Sequence, residues 1–390
     1  MNKTILVIYG ESQYSVLCKA TDLVILGFQR KGYQVEILRM DDADKMQHLD
    51  EILSKEYAFI FSIQALLFEL NNANAIPIVS LMETPWFGWI VDDILYHLHK
   101  VMNNQYENTY ILGVDNRMKE YAQLMFPGMD HVVTVYHGGF ECKHHDGQKD
   151  MDILFSGTDT ELKSFEESVE NPMPVELFLV QESEKILSEN PQIGVRTALK
   201  QVLMQMGEEL NTDLILELSR VIFYLDGYVR YQCRTKILYT LLEAGFHIHI
   251  LGNGYDEIKK QYPNQITHYG AVEIDEVTEM MSRSKIVMNP FPPIFEQGFH
   301  ERIFSAMLCK SICFTPESDF LRQQLGERVE YIDLNNMEQM VLDIQSVLDN
   351  YDKQQERLED NYQYAFVNHT WEKRGEEIID FYESGCGLQP

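Results

Sequence analysis

The residues best suited to chemistry lie in one segment, "NPFPPIFEQGFHERIFSAM", residues 289–307. Asn289 opens a loop in which prolines at 290, 292 and 293 exclude regular structure, and Gly298 then relieves the backbone. An apolar helix follows, and its start carries three polar side chains: His300, Glu301 and Arg302. A carboxylate suits a helix N-terminus, but an arginine there opposes the helix dipole. A solvated, capped helix start is the alternative, yet the triplet favours a ligand site.

Two arginines recur four residues apart in "YVRYQCRTKIL". On a helix this spacing places Arg230 and Arg234 on one face. Two guanidinium groups side by side form a fork suited to a diphosphate. The alternative is that both pair with the carboxylates that are abundant in this chain.

Glycines follow two of the expected strands. Gly10 ends the first one, in "IYGESQ", and Gly252, Asn253 and Gly254 follow a later one, in "ILGNGYDE". Such glycines let a backbone approach a phosphate or ribose, although simple tight turns explain them as well. Neither site is a GxGxxG, which argues against a nicotinamide dehydrogenase.

Acidic residues that suit general base catalysis occur in "ETPWFGWIVDD". We expect Glu83 to end a strand, and Asp92 and Asp93 to follow the start of a tryptophan-rich helix. One of these carboxylates could accept the proton of an acceptor hydroxyl, and His137 could face the same site. The alternatives are a solvated helix face and a structural histidine.

Metal binding is not expected from the sequence. The DxD-like segments at 42–44 and 150–152 are short and common in an acidic chain. Residues 97–99, "HLH", would point their rings apart on a helix, and His144 and His145 lie in a polar linker. We therefore predict no metal site.

Short apolar runs alternate with helical patterns and must position these residues. In the first half we predict helices at 12–31, 86–102 and 116–126, between strands at 4–9, 34–40, 58–63, 75–81, 109–114 and 131–136. After the linker 137–150, strands are predicted at 152–157, 246–251, 265–270, 285–290, 311–316 and 328–333, with helices over 336–385. Continuous apolar strands separated by helices indicate parallel sheets covered on both faces.

The predicted fold class is therefore α/β, with two Rossmann-like, doubly wound domains and ligands bound in the cleft at their strand ends. The predicted domains are 1–140 and 151–365, with a helical insertion at about 160–218, and 366–390 as a C-terminal helix that crosses back to the first domain.

Composition limits the possible partners. The 390 residues carry a net charge of −29, and no basic stripe exists, which excludes nucleic-acid binding. No stretch reaches the roughly 20 apolar residues of a membrane span, and the N-terminal apolar run is too short for a signal peptide. Six scattered cysteines without CxxC spacing indicate free thiols, so we expect a cytoplasmic protein.

The order of motifs over roughly residues 220–385 resembles the glycosyltransferase group that includes the spore-maturation protein CgeB, within the GT-B class. The matching segments are "YVRYQCRTKIL", "FHIHILGNGY", "HYGAV", "SRSKIVMNP", "GFHERIFSAMLCKSICFT" and "HTWEKRGEEII". "WIVDD" is the one such segment in the first half.

This resemblance implies a nucleotide-sugar donor on the second domain and an acceptor mainly on the first. It implies that Gly157, Gly252 and Gly254 lie near the nucleotide and phosphates, and Tyr269 and Gly270 near the base. Arg230 and Arg234 would neutralise the diphosphate in place of a metal. His300, Glu301 and Arg302 would contact sugar, phosphate or ribose.

The chain also departs from the wider GT-B pattern of two glutamates eight positions apart. Ser305 and Gln297 stand at those positions, and Lys310 replaces a usual glycine. The route to ribose recognition and the stereochemical outcome are therefore open.

The functional expectation is a metal-independent glycosyltransferase without a cofactor, using a nucleotide-diphosphate sugar, with a UDP-sugar as the expected donor. The acceptor is a glycan, a protein or a small molecule, and a homo-oligomer is left open. The alternatives are a sugar-nucleotide 2-epimerase of the same fold and a non-catalytic nucleotide-sugar-binding protein.

Overall fold

The computed structural model describes residues 3–72, 74–101, 106–143, 148–159, 162–292 and 294–385. His144, His145 and Pro293, named above, lie outside these ranges. The chain divides into two compact units, residues 1–138 with 367–390, and residues 139–366. Each unit contains one six-stranded parallel sheet.

The first sheet has the order β2-β1-β3-β4-β5-β6. Its strands are β1 (Thr4–Tyr9), β2 (Gln34–Arg39), β3 (Ile60–Ile63), β4 (Trp86–Ile90), β5 (Thr109–Gly113) and β6 (Val132–Thr134). The second has the order β12-β11-β10-β7-β8-β9. Its strands are β7 (Met151–Ser156), β8 (Ile248–Leu251), β9 (Ile266–His268), β10 (Ser284–Met288), β11 (Ile312–Pro316) and β12 (Glu330–Ile332). Both orders are doubly wound, as predicted, so each sheet gathers the residues that follow its strands at one edge.

Helices cover both sheets. The first unit contains α1 (Val16–Arg30), α2 (Ala43–Gln47), α3 (Leu49–Leu53), α4 (Leu98–Val101) and α5 (Met118–Met125). The second contains α6 (Phe165–Ser168), α7 (Pro174–Glu189), α8 (Val195–Gln205), α9 (Thr212–Glu217), α10 (Ser219–Glu243), α11 (Asp256–Gln261), α12 (Ile274–Arg283), α13 (Glu301–Leu308), α14 (Asp319–Leu325), α15 (Met337–Asp349) and α16 (Gln355–Asn368). The last helix, α17 (Trp371–Glu383), belongs to the first unit. No described helix is both long and apolar enough to cross a membrane.

Two predicted elements are wrong. The segment 75–81 is not a strand but ends in a short 3-10 helix, Ile78–Leu81, which starts directly after Pro77. Residues 86–90, "WFGWI", form β4 rather than the start of a helix, and all five are buried. An aromatic and β-branched run that is buried on both faces is typical of a central parallel strand, and the periodicity of so short a run does not separate it from a helix.

The helix α17 packs closely against α1 in the first unit. A Cβ atom on Gly27 would lie 2.1 Å from the carbonyl oxygen of Glu372, and one on Gly375 would lie 2.3 Å from that of Val24. Trp371 is buried against Trp89, with ring centroids 5.2 Å apart. Two glycines at the crossing thus let the helix backbones touch, which fixes the last helix on the sheet of the first unit.

Candidate functional site

The carboxyl edge of the second sheet is built from loops that depend on glycine. A Cβ atom on Gly252 would lie 2.0 Å from the oxygen of Gly157, and one on Gly254 would lie 2.2 Å from the oxygen of Asp159. Both residues also have positive φ, +121° and +96°, a backbone conformation that favours glycine. These glycines therefore allow the loops after β7 and β8 to pack against each other.

Part of the glycine turn after β8 is used for hydrogen bonds within the protein. The N–H of Gly252 donates to the oxygen of Gly270 at 2.8 Å, and the oxygen of Asn253 accepts from the N–H of Asp159 at 2.8 Å. Gly252 thus gives no free donor to a phosphate. The turn packs against the loop after β7, and that loop contacts Arg234. A Cβ atom on Gly157 in this loop would lie 3.3 Å from Nε of Arg234.

Arg234 reaches this edge from the middle of the 25-residue helix α10. Its Nη1 donates to the oxygen of Thr158 at 2.8 Å, whereas its Nε is buried and has no hydrogen-bond partner among the described residues. In the described ranges its guanidinium group forms no ion pair, although its charge partly offsets the burial that raises the pKa of Asp159. A half-buried cation whose Nε is buried and unsatisfied, in a chain of net charge −29, is a candidate anion-binding group.

Arg230 lies one turn earlier on α10 and is held differently. Its Nε donates to Asp226 at 2.9 Å, and its guanidinium carbon lies 4.9 Å above the ring of Phe291. The predicted alternative, pairing with a carboxylate, is thus correct for Arg230 and not for Arg234. Of these two arginines, Arg234 and not Arg230 is therefore available to bind an anionic ligand.

A third arginine completes the group from another element. Arg302, in the first turn of α13, donates to the side-chain oxygen of Asn289 at 3.2 Å. Asn289 is buried directly after β10 and donates to Oγ1 of Thr315 at 3.1 Å. Burial, reinforced by the charges of Arg302 and Arg230, lowers the pKa of Arg234 from its ordinary value. A bound anion would relieve this repulsion.

His300 and Glu301 also lie at the start of α13. The ring of His300 stacks on that of Phe291 at 4.1 Å, and its Nδ1 lies 3.8 Å from the carboxylate of Glu301. Burial raises the pKa of Glu301, and the charge of Arg302 opposes this only in part. The side chain of Glu301 keeps 22% of its surface exposed, and its Oε2 is buried without a described partner. His300 makes no side-chain cap to the helix, so the triplet is not explained by capping.

The positions that depart from the GT-B pattern have structural roles or lie in the loop. Ser305 is buried, and its hydroxyl accepts from the N–H of Phe140 at 2.9 Å and donates to the oxygen of Glu301 at 3.1 Å. Gly298 is buried, whereas Gln297 is exposed. Ser305 is therefore committed to holding α13 against the segment that enters the second unit.

Tyr269, which the resemblance places near the base of a nucleotide, packs against β8 in this structure. Its ring stacks on His249 in β8, and its hydroxyl lies 2.9 Å from Nδ1 of that histidine. Gly270 takes part only through its oxygen, which accepts from Gly252, at a φ of +75°. The side chain of Tyr269 thus points back along the sheet, away from the loops after β7 and β8.

The first sheet gathers a second polar group at its carboxyl edge. Asp92 follows β4 and not a helix start, which corrects the prediction. It accepts from the amide of Gln64 at 2.6 Å and lies 3.8 Å from Nε2 of His97. Partial burial alone would raise the pKa of Asp92, but the nearby imidazole of His97 and the hydrogen bond from Gln64 outweigh it and hold the pKa below its ordinary value. Asp92 is therefore an ionised carboxylate at neutral pH.

The other residues predicted on this side have different places. Asp93 caps the 3-10 helix Ile94–His97 by accepting from the N–H of Leu95 at 2.9 Å. His137 is buried and lies 3.1 Å from the oxygen of Val91. Gly10 follows β1 at the same edge, where a Cβ atom would lie 2.8 Å from the side chain of Leu66.

Glu83 is exposed and precedes β4 instead of ending a strand. It therefore lies at the opposite edge of the sheet and is not part of the candidate site.

Gln64 and Lys100 were not predicted. Gln64 follows β3 with a left-handed φ of 62°, and its Oε1 is buried without a described partner. Lys100 donates to the backbone oxygen of Gln64 at 2.7 Å. The available signal was position, because residues that directly follow parallel strands line the ligand edge. In the described part of the chain, no three metal-ligating side chains are grouped as a metal site.

Comparison with known proteins places this geometry in a family context. Residues 234–380 match a family model described as glycosyl transferase-like. This stretch contains Arg234, Asn289 and the start of α13. No curated protein sequence matches the chain.

Solved structures resemble the whole chain at low sequence identity. Anabaena HepE in complex with UDP and glucose matches with a TM-score of 0.55 at 9% identity, over 98% of this chain and 100% of that one. A glycosyltransferase from Rickettsia africae matches with a TM-score of 0.50 at 11% identity, over 100% of both chains. The fold is GT-B. AviGT4, a glycosyltransferase involved in avilamycin A biosynthesis, shares this GT-B fold with a TM-score of 0.50 at 8% identity, over 99% and 98% of the two chains.

Proposed function

We propose that this GT-B protein is a glycosyltransferase that takes its sugar from a nucleoside diphosphate donor, with a UDP-sugar as the first candidate. The observation that carries the proposal is Arg234, a half-buried guanidinium whose Nε is buried and unsatisfied and which has no described carboxylate partner, together with Arg302 and Asn289 at the strand ends of the second sheet. The matched family model and the UDP complex of HepE support the same ligand class.

The proposed chemistry follows from where charge develops. As the bond from the anomeric carbon to the diphosphate oxygen breaks, its electron pair leaves with the diphosphate, whose negative charge grows. Arg234 and Arg302 donate hydrogen bonds to that charge from fixed positions, so they cost little reorganisation during the reaction. On this proposal the arginines fill the role that a divalent cation fills in other transferases.

The acceptor needs a base as its oxygen bonds to the anomeric carbon. We assign this role to Asp92, which is ionised and oriented by Gln64 and His97. General base catalysis of this kind contributes roughly 10²- to 10⁴-fold to the rate. Asp93 is not assigned a catalytic role, because its carboxylate already caps a helix.

Incubation with UDP-, GDP-, dTDP- and CMP-sugars, followed by measurement of binding and of released nucleotide, tests the proposal. We expect saturable binding of at least one nucleotide sugar and release of its nucleotide. No binding to any member of the panel would refute it. Analysis of the sugar nucleotide itself separates the epimerase, because an epimerised donor without transfer would show that reaction instead.

A further inference from the structure

The helical insertion has no part in the function proposed above. Its helices α6 to α9 precede α10 and interrupt the alternation of strands and helices. The start of α8 and the turn before it contact the segment made of residues 289–292 and 294–300, which we call the donor loop. The insertion is therefore in contact with the candidate site without supplying any of its arginines.

The first contact joins α8 to the donor loop. Oγ1 of Thr197, the third residue of α8, donates to Oε1 of Glu296 at 2.9 Å. Gly194 precedes the same helix, and a Cβ atom there would lie 2.1 Å from Oε1 of Glu296 and 2.6 Å from its Cγ. The side chain of Glu296 thus occupies the space that a side chain at 194 would fill. A carboxylate at the first turn of this 11-residue helix is also favoured by the helix dipole.

The same turn is fixed to the strand ends of the sheet. The amide of Gln192 donates to the carboxylate of Glu317, which directly follows β11. Asn335, shortly after β12, donates to the oxygen of Glu189 at 3.5 Å. The turn therefore has anchors on both the sheet edge and the donor loop.

The donor loop in turn holds the aromatic surface beside the arginines. Phe291 stacks on His300 at 4.1 Å and lies beneath Arg230 at 4.9 Å. Two backbone hydrogen bonds of the loop are local, from Phe291 to Asn289 and from Ile294 to Pro292. The loop is also fixed at its start, where the N–H of Asn289 donates to the oxygen of Phe314 at 2.8 Å. Between that point and α13, side-chain contacts such as that of Glu296 help to determine where Phe291 and His300 lie.

We propose that Thr197 is a positioning residue for donor binding, acting through Glu296 to hold the donor loop, and that the insertion serves as the support of this loop. The inference rests on the proposed function, because it requires a nucleoside diphosphate at the arginine cluster.

Three variants and UDP as the probe test the inference by calorimetry. Thr197→Val keeps the shape and removes the hydroxyl, so we expect UDP to bind about threefold to tenfold more weakly. Thr197→Ser retains the hydroxyl and should bind within about twofold of the wild type. Gly194→Ala fits its backbone, with φ −76° and ψ 158°, but displaces Glu296, and should resemble Thr197→Val.

Ser188→Ala is the matched control, because among the described residues its hydroxyl donates only to the backbone oxygen of Lys185, within α7. It should bind UDP as the wild type does. Hydrogen exchange gives a second readout, and we expect Thr197→Val to speed exchange in 294–300 while α7 keeps wild-type rates.

The outcomes distinguish the role of Thr197 from the proposed donor site. Wild-type protein that binds no UDP would remove the donor site and the inference with it. UDP binding by the wild type with equal affinity in Thr197→Val and Gly194→Ala would overturn the inference alone. A loss in Thr197→Val that Thr197→Ser does not restore, or faster exchange spread over the whole insertion, would also overturn it, because either would indicate general structural damage.

Discussion

Replacing Arg234 by methionine separates a ligand-binding arginine from a structural one. Methionine keeps an unbranched apolar stem in the space beside Gly157 but removes the charge. We expect UDP to bind at least roughly 30-fold more weakly, while the free energy of unfolding of the unliganded protein changes by less than about 1 kcal/mol. The substitution should therefore weaken UDP binding much more than it changes the stability of the unliganded protein.

The magnitudes follow from the surroundings of Arg234. Truncating one partner of a buried, hydrogen-bonded charge pair costs about 2 kcal/mol or more in binding, which is roughly 30-fold in affinity. In the unliganded protein, the substitution loses the hydrogen bond to Thr158, worth about 1 kcal/mol. It also removes the repulsion of Arg302 and Arg230, which lowers the pKa of Arg234 along with burial. The lost hydrogen bond lowers the free energy of unfolding and the removed repulsion raises it, so the net change is small.

Arg220 provides a matched control on the same helix. It lies 14 residues before Arg234, or about 21 Å along the helix axis. It pairs with Glu176, whose side chain is 0% exposed. Arg220→Met leaves this carboxylate buried without its cation, with the N–H of Met173 as its remaining partner, so we expect a loss of about 3 kcal/mol in the free energy of unfolding. UDP affinity of the folded protein should not change.

Calorimetry with UDP and urea denaturation of both variants measure these quantities. The reasoning is refuted if Arg234→Met binds UDP like the wild type, or if Arg220→Met loses affinity to the same extent. Equal destabilisation by the two substitutions would show that Arg234 is a structural residue.

Three further substitutions test other parts of the account. Asp92→Asn should lower the rate of sugar transfer or donor hydrolysis by roughly 10²- to 10⁴-fold without weakening UDP binding, as followed by nucleotide release. Glu301→Gln should raise the free energy of unfolding at pH 8 and have a smaller effect at pH 5, measured by urea denaturation. The pKa of Glu301 is raised in the folded state, so the folded form binds more protons and loses stability as pH rises from the ordinary glutamate value. Gly27→Ala should destabilise the protein by about 1–3 kcal/mol, because its Cβ atom would lie 2.1 Å from Glu372.

Each of these has its own contradicting result. Unchanged turnover in Asp92→Asn would remove it as the base, whereas weaker UDP binding would show that it acts on the donor. A stability difference for Glu301→Gln that is the same at both pH values would contradict the raised pKa. For Gly27, the control is Gly227→Ala in α10, where a Cβ atom would meet nothing within 4 Å. It should stabilise the helix by up to about 1 kcal/mol, and a loss equal to that of Gly27→Ala would contradict the packing argument.

The sheets were predictable because their strands are short, continuous apolar runs. The strand "WFGWI" was missed, since a five-residue aromatic run followed by two aspartates has no periodicity that excludes a helix. That error moved Asp92 and Asp93 to a helix face, although the structure places Asp92 at a strand end. The strand predicted at 75–81 was wrong because an apolar run does not have to be buried: Ile76 and Leu81 are exposed.

The grouping of side chains at the candidate site of the second sheet was partly predictable. The spacing of Arg230 and Arg234 identified a shared helix face, and the triplet at the start of α13 was recognised by an arginine where the dipole disfavours it. Neither pattern shows that Arg230 pairs with Asp226 or that Nε of Arg234 has no described partner, because both depend on local side-chain geometry. The sequence also does not show why residue 252 must be glycine, since the clash that requires glycine comes from the loop after β7.

The second polar group was less accessible to sequence reasoning. Gln64 is a single amide in an apolar region, and its left-handed backbone is not typical of its residue type. His97 was considered only as half of a metal pair with His99. Its approach to Asp92 depends on the 3-10 helix that Asp93 caps, a feature that no periodic pattern predicts.

A crystal structure of the wild-type protein with UDP tests the central claim most directly. The account predicts the diphosphate at the strand ends of the second sheet, within hydrogen-bond distance of both Arg234 and Arg302. UDP bound elsewhere, or bound there with Arg234 still donating only to Thr158, would contradict it.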